Sequence, residues 1–495
     1  MTYDYDIAVI GGGLLGCFTA RSLSRYRWEI GVFEKNLDVC AGISRANTAI
    51  IYPGYDVEPG SLKARLCLSA NENFESLCAE LNVRFRRRGS LMVSFGPRGD
   101  GVLRSKYNQG VENGVKGMRI LSGREVIEME PNINPAVTGA LYAESTATVN
   151  PWELGIAAAE CAAANGVEMH FGCGIDGINL MDGGYSLVAG DRSFTARAIV
   201  NCAGLYADKI SEMLNKPRLR LQTSAADYLI LDPSVSGFVR HIIMHEPEVR
   251  GKGATLVPTI DGNLLIGPSD IKRDNGVGFE TDSEGLDFVR STAGFVFPGL
   301  PIDLTIRSFG SARPSIKAVA VDELGNVSET GERIRDLSIS MSEENPGFIS
   351  LIGIKTPGLT CCSKIGGYVA EMLLDFFGNP GEKADYSPRA PKHVIMPELD
   401  FESRCALAQG NADYGKIVCR CMKVTEGEIR DAIRRSPGAV TLDGVKRRTG
   451  AQMGRCQGGF CTLRIMEILA EELGVPVSAV LKDAPNSVVI KNEKI

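Results

Sequence analysis

The first forty residues alternate between apolar and polar positions in the order strand, glycine turn, helix, strand. Ile7–Ile10 is a short apolar run and Gly11–Gly16 follows at once. Cys17–Tyr26 has helical spacing, and Ile30–Phe33 is a second strand closed by Glu34. This pattern predicts a βαβ unit opening the chain. Further along, Asn71–Leu81 has the spacing of a helix. An alanine-rich helix is expected over Leu154–Asn165, with a strand at Val167–Phe171. Ala198–Gly204 reads as a strand running into a glycine turn. From Arg218 to Ser315 strand-like runs dominate, among them Tyr228–Leu231 and Asn263–Ile266. Gly347–Ile354 is another strand, and Lys364–Phe377 a helix. A proline- and charge-rich stretch then leads into a compact segment that holds four cysteines.

Length turns this pattern into a domain count. A chain of 495 residues exceeds what one core usually organises. The expected division is an α/β and α+β body over 1–385, a linker over 386–413, a small helical module over 414–480 and a polar, frayed tail over 481–495. Hydrophobic residues at 44% and charged residues at 23% exclude a disordered or fibrous chain. No run approaches 18 uninterrupted apolar residues, so no transmembrane segment is expected. The N-terminus enters a strand directly, without a basic leader, which points to the cytoplasm. A net charge of −6 without a basic stripe argues against nucleic-acid binding. The 14 cysteines are then expected to be thiols or metal ligands, not disulfides. Only four histidines, His170, His241, His245 and His393, are available to catalysis.

The chemistry begins at Gly11-x-Gly13-x-x-Gly16. The first glycine permits the tight turn, the second lets a pyrophosphate approach the backbone, and the third packs helix on strand. The helix N-terminus then offers N–H groups and the positive end of a dipole. Glu34, ending the second strand, is placed to accept ribose hydroxyls, which favours FAD or NAD over NADP. Val200–Asp208 and Gly353–Thr360 look like the second and third fingerprints of a flavoprotein, the latter with a helix end at the pyrimidine edge of the ring, and they favour FAD. A reductase fed by NAD(P)H would need a second nucleotide fold, and only one such glycine motif is present.

Cys419-x-Cys421 and, 34 residues on, Cys456-x₄-Cys461 make two close thiol pairs, which can hold zinc or a [2Fe–2S] cluster. The tight first pair and the basic and glycine residues beside both favour the cluster. Residues 416–474 carry 11 Lys/Arg against 7 Asp/Glu, so the module is basic in an acidic chain. The vicinal Cys361–Cys362 pair reads as small core hydrophobes, not a redox dithiol. For an anionic substrate, Arg313 at a strand end supplies a bidentate guanidinium. Lys252, between two glycines, and Lys355 are further cations. His241 and His245 are candidate bases, and Arg307 is expected in a surface ion pair.

Taken together, these segments resemble the D-amino-acid-oxidase-like FAD-dependent oxidoreductases. Asn47–Leu66 is the specific stretch. It is similar to one shared by L-2-hydroxyglutarate oxidases and bacterial FAD-dependent glycerol-3-phosphate dehydrogenases. Gly89–Val93, Gly139–Tyr142, Gly262–Pro268 and Ser311–Pro314 continue the match in order. The cysteine module resembles the bacterioferritin-associated-ferredoxin type of [2Fe–2S] domain. The resemblance implies a Rossmann-like α/β FAD domain, an α+β substrate domain on a large, mostly antiparallel sheet, and a small helical cluster domain. It implies a cofactor set of Gly11, Gly13, Leu14, Leu15, Gly16, Glu34, Lys35, Ser44, Asn47, Ala203, Gly204, Gly353, Pro357, Gly358, Leu359 and Thr360, with the cluster on Cys419, Cys421, Cys456 and Cys461. The catalytic set is Arg313, Tyr52, His245 and Lys252. Relatives tend to carry His at the position of Tyr52 and Ser or Ala at that of Pro53, so FAD is expected to be held non-covalently.

The implied activity is oxidation of a small anionic hydroxy compound, with electrons passing from FAD through the cluster to a partner. Glycerol 3-phosphate leads as substrate, followed by an L-2-hydroxy acid such as L-2-hydroxyglutarate and then an amine or amino acid. The resemblance also implies redox partner subunits, one of pyridine-nucleotide-oxidoreductase type and one small and cysteine-rich. Any contact with the inner membrane would be peripheral and made through those partners.

Overall fold

The structure is a computed structural model, and it describes residues 3–246, 253–269, 279–322, 326–332 and 334–491. Its first layer is an eight-stranded sheet. The strands Tyr5–Ile10, Ile30–Phe33, Glu168–His170, Arg192–Asn201 and Phe348–Ile352 pair in parallel at its centre. The apolar runs of Tyr5–Ile10, Ile30–Phe33 and Phe348–Ile352 are buried on both faces, as parallel strands require, while Glu168–His170 forms a more exposed edge. The helices Leu14–Leu23, Pro151–Ala164 and Gly358–Phe377 cover this sheet, and Phe18, Leu23, Ile365 and Val369 seal the interface.

The second layer is a nine-stranded sheet in which only Ser90–Ser94 and Ile242–His245 run parallel to each other. Its backbone is the pair Leu219–Leu231 and Thr305–Val321, in antiparallel register along nearly their whole length. Leu219–Leu231 extends well before its apolar run Tyr228–Leu231, because its first residues alternate half-buried and exposed positions. The expected α/β plus α+β architecture is therefore present, with its large sheet mostly antiparallel.

Several element ends differ from the periodicity. The helix expected at Asn71–Leu81 spans Leu62–Glu80, started by Ser61, whose side chain accepts the Ala64 N–H. The helix expected from Lys364 begins at Gly358, just after Pro357. Residues 386–413, expected as a bare linker, contain the helix Phe401–Gly410. They also lie against the body through Ala390 N–H to Glu80 O at 3.3 Å and His393 to Glu160 at 2.7 Å.

The C-terminal module packs the helices Glu426–Arg434, Leu442–Thr449 and Thr462–Leu473 around Ile429, Leu442, Val445, Ile465 and Leu469. Arginines dock it on the body. Arg447 and Arg448 both reach the buried Asp38 at 2.8 Å, Arg435 reaches Glu160 at 3.3 Å, and Arg455 reaches Asp232 at 3.0 Å. The tail, expected to fray, turns back through a Leu481–Val488 bridge and is held by Asp483, which pairs with Arg45 and with Arg447.

Candidate active site and cluster site

The glycine turn sits where the parallel strand Tyr5–Ile10 meets its helix. Gly11 has φ +104°, and a Cβ there would lie 2.6 Å from the Cys202 carbonyl oxygen. Gly16 packs closer still: a Cβ would come within 1.8 Å of the Gly11 oxygen. Positions 11 and 16 therefore admit only glycine, and the turn brings the main chain to the edge of a cavity of about 790 Å³. That volume lies in the range of sites for large organic ligands.

Glu34 closes the neighbouring strand at the cavity wall. Its carboxylate accepts from Gly12 N–H at 2.6 Å and from Asn36 N–H at 2.8 Å. The Asn36 side-chain amide donates a third bond at 2.6 Å, which leaves about one of the four acceptor directions for a ribose hydroxyl. Ser44 Oγ accepts the Leu14 N–H at 3.0 Å, and Asn47 donates to the Ser44 carbonyl at 2.9 Å, so the loop after Glu34 is fixed against the helix start. Lys35 lies 3.5 Å over the Tyr206 ring across the same wall.

The cavity continues to Tyr52, Arg313, Lys355 and the start of the helix Gly358–Phe377. Thr360 Oγ1 accepts the Tyr52 N–H at 2.9 Å and so ties the Tyr52 strand end to that helix. Arg313 stands on the long strand Thr305–Val321 opposite Ser224. A side cavity of about 470 Å³ shares Tyr52, Lys355, Thr356 and Pro357, and its outer wall holds Asp56, Glu58, Lys63 and Arg335.

Of the residues expected from sequence, Gly11, Gly13, Leu14, Leu15, Glu34, Lys35, Ser44, Asn47, Tyr52, Ala203, Gly204, Arg313, Pro357, Gly358 and Leu359 line this one cavity. Gly16, Gly353 and Thr360 stand behind its wall. Gly353, at φ +66°, packs so closely on Ile316 that a Cβ would meet its side chain at 2.2 Å. His245 is not part of the lining. It stacks on Phe95 at 5.8 Å and its Nδ1–H donates to the Glu246 carbonyl oxygen at 2.9 Å, on another face of the second sheet. His241 is held by Glu130 at 2.7 Å. Arg307, expected in an ion pair, donates to Gln457 of the cysteine module at 3.2 Å. Lys252 lies outside the described residues. Sequence reading missed Arg45, Cys173, Tyr228, Phe279, Asp483 and Ala484, all of which line the cavity. They carry no motif and arrive from distant parts of the chain.

The four module cysteines form two pairs. Cys421 and Cys456 have their sulfurs 3.6 Å apart, and Cys461 hydrogen-bonds Cys419. That bond, with backbone donors at Gln452, Met422 and Cys421, outweighs burial and draws the Cys419 thiol down to about 6. Burial opposes ionisation of Cys456, but the N–H groups of Gly458, Phe460 and Gly459 lower it. Among the described residues no three or more His, Cys, Asp or Glu side chains converge on a single-ion site. Two thiol pairs set among backbone donors have the chemistry to hold a [2Fe–2S] cluster.

Fold and cavities define a flavoprotein oxidoreductase with an appended iron–sulfur module. The chain belongs to the FAD-dependent oxidoreductase family, whose model matches residues 6–372, and residues 417–471 match the BFD-like [2Fe–2S] binding domain. Its cofactors are FAD and a [2Fe–2S] cluster. The chain is 38% identical over 486 residues to a glycerol 3-phosphate dehydrogenase of Caloramator mitchellensis, covering 98% of each. It is 26% identical to a glycerol 3-phosphate oxidase of Mycoplasma pneumoniae, over 73% of this chain and 92% of that one. The fold is similar to the dithionite-reduced L-α-glycerophosphate oxidase of M. pneumoniae with FAD bound, with TM-score 0.71 at 23% identity over 79% of this chain and 99% of that one. Among the described residues no helix is long and apolar enough to cross a membrane.

Proposed function

We propose that this protein oxidises glycerol 3-phosphate to dihydroxyacetone phosphate and sends the electrons through its cluster to a partner. The observation that carries the reading is the single cavity that joins the glycine turn and Glu34 to Arg313 and Tyr52. The full-length likeness to a glycerol 3-phosphate dehydrogenase supports the choice of substrate.

In this reading Gly11, Gly13 and the start of the helix Leu14–Leu23 hold the FAD pyrophosphate, and Glu34 holds the ribose. Lys35, Ser44, Asn47, Ala203, Gly204, Pro357, Gly358 and Leu359 line the rest of the cofactor's path. Cys419, Cys421, Cys456 and Cys461 hold the cluster. Bound FAD supplies the hydride acceptor for the carbinol carbon.

Arg313 grips the substrate's phosphate with two parallel N–H groups and so orients the carbinol end. Tyr52 donates or accepts a hydrogen bond at the substrate hydroxyl. Tyr52 stands where the two cavities meet and serves as an orienting group, and the hydroxyl proton leaves toward the side cavity. Lys355 and the helix N-terminus at Gly358 set a positive potential where negative charge accumulates on reduction. The partner is a redox protein, of the pyridine-nucleotide-oxidoreductase or small cysteine-rich kind, and contact with a membrane would be made through it.

An anaerobic substrate panel tests this, with flavin bleaching near 450 nm and the EPR signal of the reduced cluster followed together. Glycerol 3-phosphate is expected to bleach the flavin and produce the cluster signal. Bleaching by a 2-hydroxy acid or an amine alone would assign the Arg313–Tyr52 pocket to that substrate, and reduction by NADH alone would reverse the direction of electron flow.

A further inference from the structure

Of the two cysteine pairs, Cys419–Cys461 is buried and Cys421–Cys456 reaches the surface. Cys421 is exposed, and beside the second pair Phe460 is 85% and Leu463 60% exposed. Two large apolar side chains next to an exposed cluster ligand are costly in water and mark a contact face. The loops that present them, residues 415–425 and 451–463, hold Lys416, Arg420, Lys423 and Arg455 and no acidic residue.

The acids of the module lie elsewhere and are engaged. Arg430, Arg434 and Arg464 hold Glu471, Glu472 and Glu426 at 2.6–2.9 Å, on the side of the long helices. Lys416 pairs with Asp413, and Arg455 with Asp232. Arg420 and Lys423 are exposed, and neither has an ion-pair partner among the described residues. The face around Cys421 thus keeps its positive charge in a chain whose net charge is −6.

We infer that this face, with Phe460 and Leu463 at its centre and Arg420 and Lys423 at its rim, docks an acidic protein that carries one electron at a time. The inference rests on the proposed direction of electron flow. Oxidation of one hydroxyl to a carbonyl releases two electrons and two protons. Two carrier molecules are each reduced by one electron in turn, and the protons pass to solvent. The rim cations steer the encounter and the apolar centre holds the complex, so the two parts are separable by mutation.

The test uses the full-length holoenzyme with two haem probes, the acidic soluble domain of a b-type cytochrome and a basic c-type cytochrome. Calorimetric binding of the oxidised proteins is measured at low and high salt, and reduction of each probe is followed after substrate is added. The acidic probe is expected to bind, more weakly as salt rises, and to be reduced. Lys423→Glu is expected to cut its association rate about ten-fold and flatten the salt dependence. Leu463→Ser is expected to weaken binding about ten-fold with the salt dependence kept. Iron content and the visible spectrum confirm in both variants that the cluster is retained. Equal binding of both probes, preference for the basic one, or no effect of either variant would overturn the inference. Flavin bleaching without a probe reports separately on the proposed activity, so failure of that reading leaves the binding result intact.

Discussion

At the residue scale the site depends on a few side chains with different duties. In the proposed reading Arg313, on the strand Thr305–Val321, is the cavity cation that meets the substrate. Arg313→Lys keeps the charge but loses the planar fork, and is expected to raise KM for glycerol 3-phosphate by an order of magnitude. Arg313→Ala is expected to cost on the order of 100-fold in kcat/KM, about 3 kcal/mol. Steady-state kinetics at matched flavin content measure both. The glycines and Glu34 were legible in the sequence because their roles are local: a turn, a strand end and a helix start lie within 30 residues. His245 was chosen by residue type and region alone. Those say nothing about which face of a sheet a strand end presents, and the ring stacks on Phe95 instead. Arg45 and Asp483 line the cavity together although 438 residues separate them, so no local signal could have paired them.

At the scale of elements, what joins the module to the body is a set of arginine–carboxylate contacts. Asp38 is nearly fully buried. Burial alone would raise its pKa, but Arg448 and Arg447 outweigh it and hold the carboxyl at about 2. A depressed folded pKa means that the contribution is complete above the unfolded value near 4 and is lost as pH falls toward 2. Asp38→Asn leaves the buried Arg448 without its counter-charge and Arg447 with Asp483 alone, and is expected to destabilise the docked module by about 3 kcal/mol at neutral pH. The difference in melting temperature between wild type and Asp38→Asn should shrink as pH falls from 4 to 2, which calorimetry at stepped pH would show. The tail makes a second junction, since Asp483 and Ala484 line the cavity while Asp483 pairs with Arg45 and Arg447. Deleting residues 481–495 is expected to speed FAD release several-fold with iron content unchanged, read from the rise of free-flavin fluorescence after dilution. Hydrophobic periodicity could not reveal this contact, nor the helix Phe401–Gly410, because none of that helix's residues is buried.

At the scale of the molecule, the fold keeps two half-reactions apart in one chain. In the proposed reading, substrate chemistry belongs to the cavity between the two large sheets, and electron exit to the module at its surface pair Cys421–Cys456. Both were legible in the sequence as separate motifs. Their connection was not, because it depends on Arg455 reaching Asp232 and Arg307 reaching Gln457 across more than a hundred residues. Separation of this kind makes a sharp prediction. Cys421→Ser removes an exposed ligand of the cluster while every residue that lines the cavity stays in place. Substrate should therefore bleach the flavin of this variant at close to the wild-type rate in a single anaerobic turnover. Steady-state transfer to a protein carrier should fall by two orders of magnitude or so, because a carrier docked at the module then finds no cluster to take electrons from. Stopped-flow absorbance and a carrier-linked assay on the same preparation measure the two rates. Equal loss of both would mean that the module's role is to shape the cavity through Asp483 and Asp38, with the cluster as a brace. Loss of the second alone assigns the cluster to electron exit and leaves oxidation of the substrate to the flavin domain.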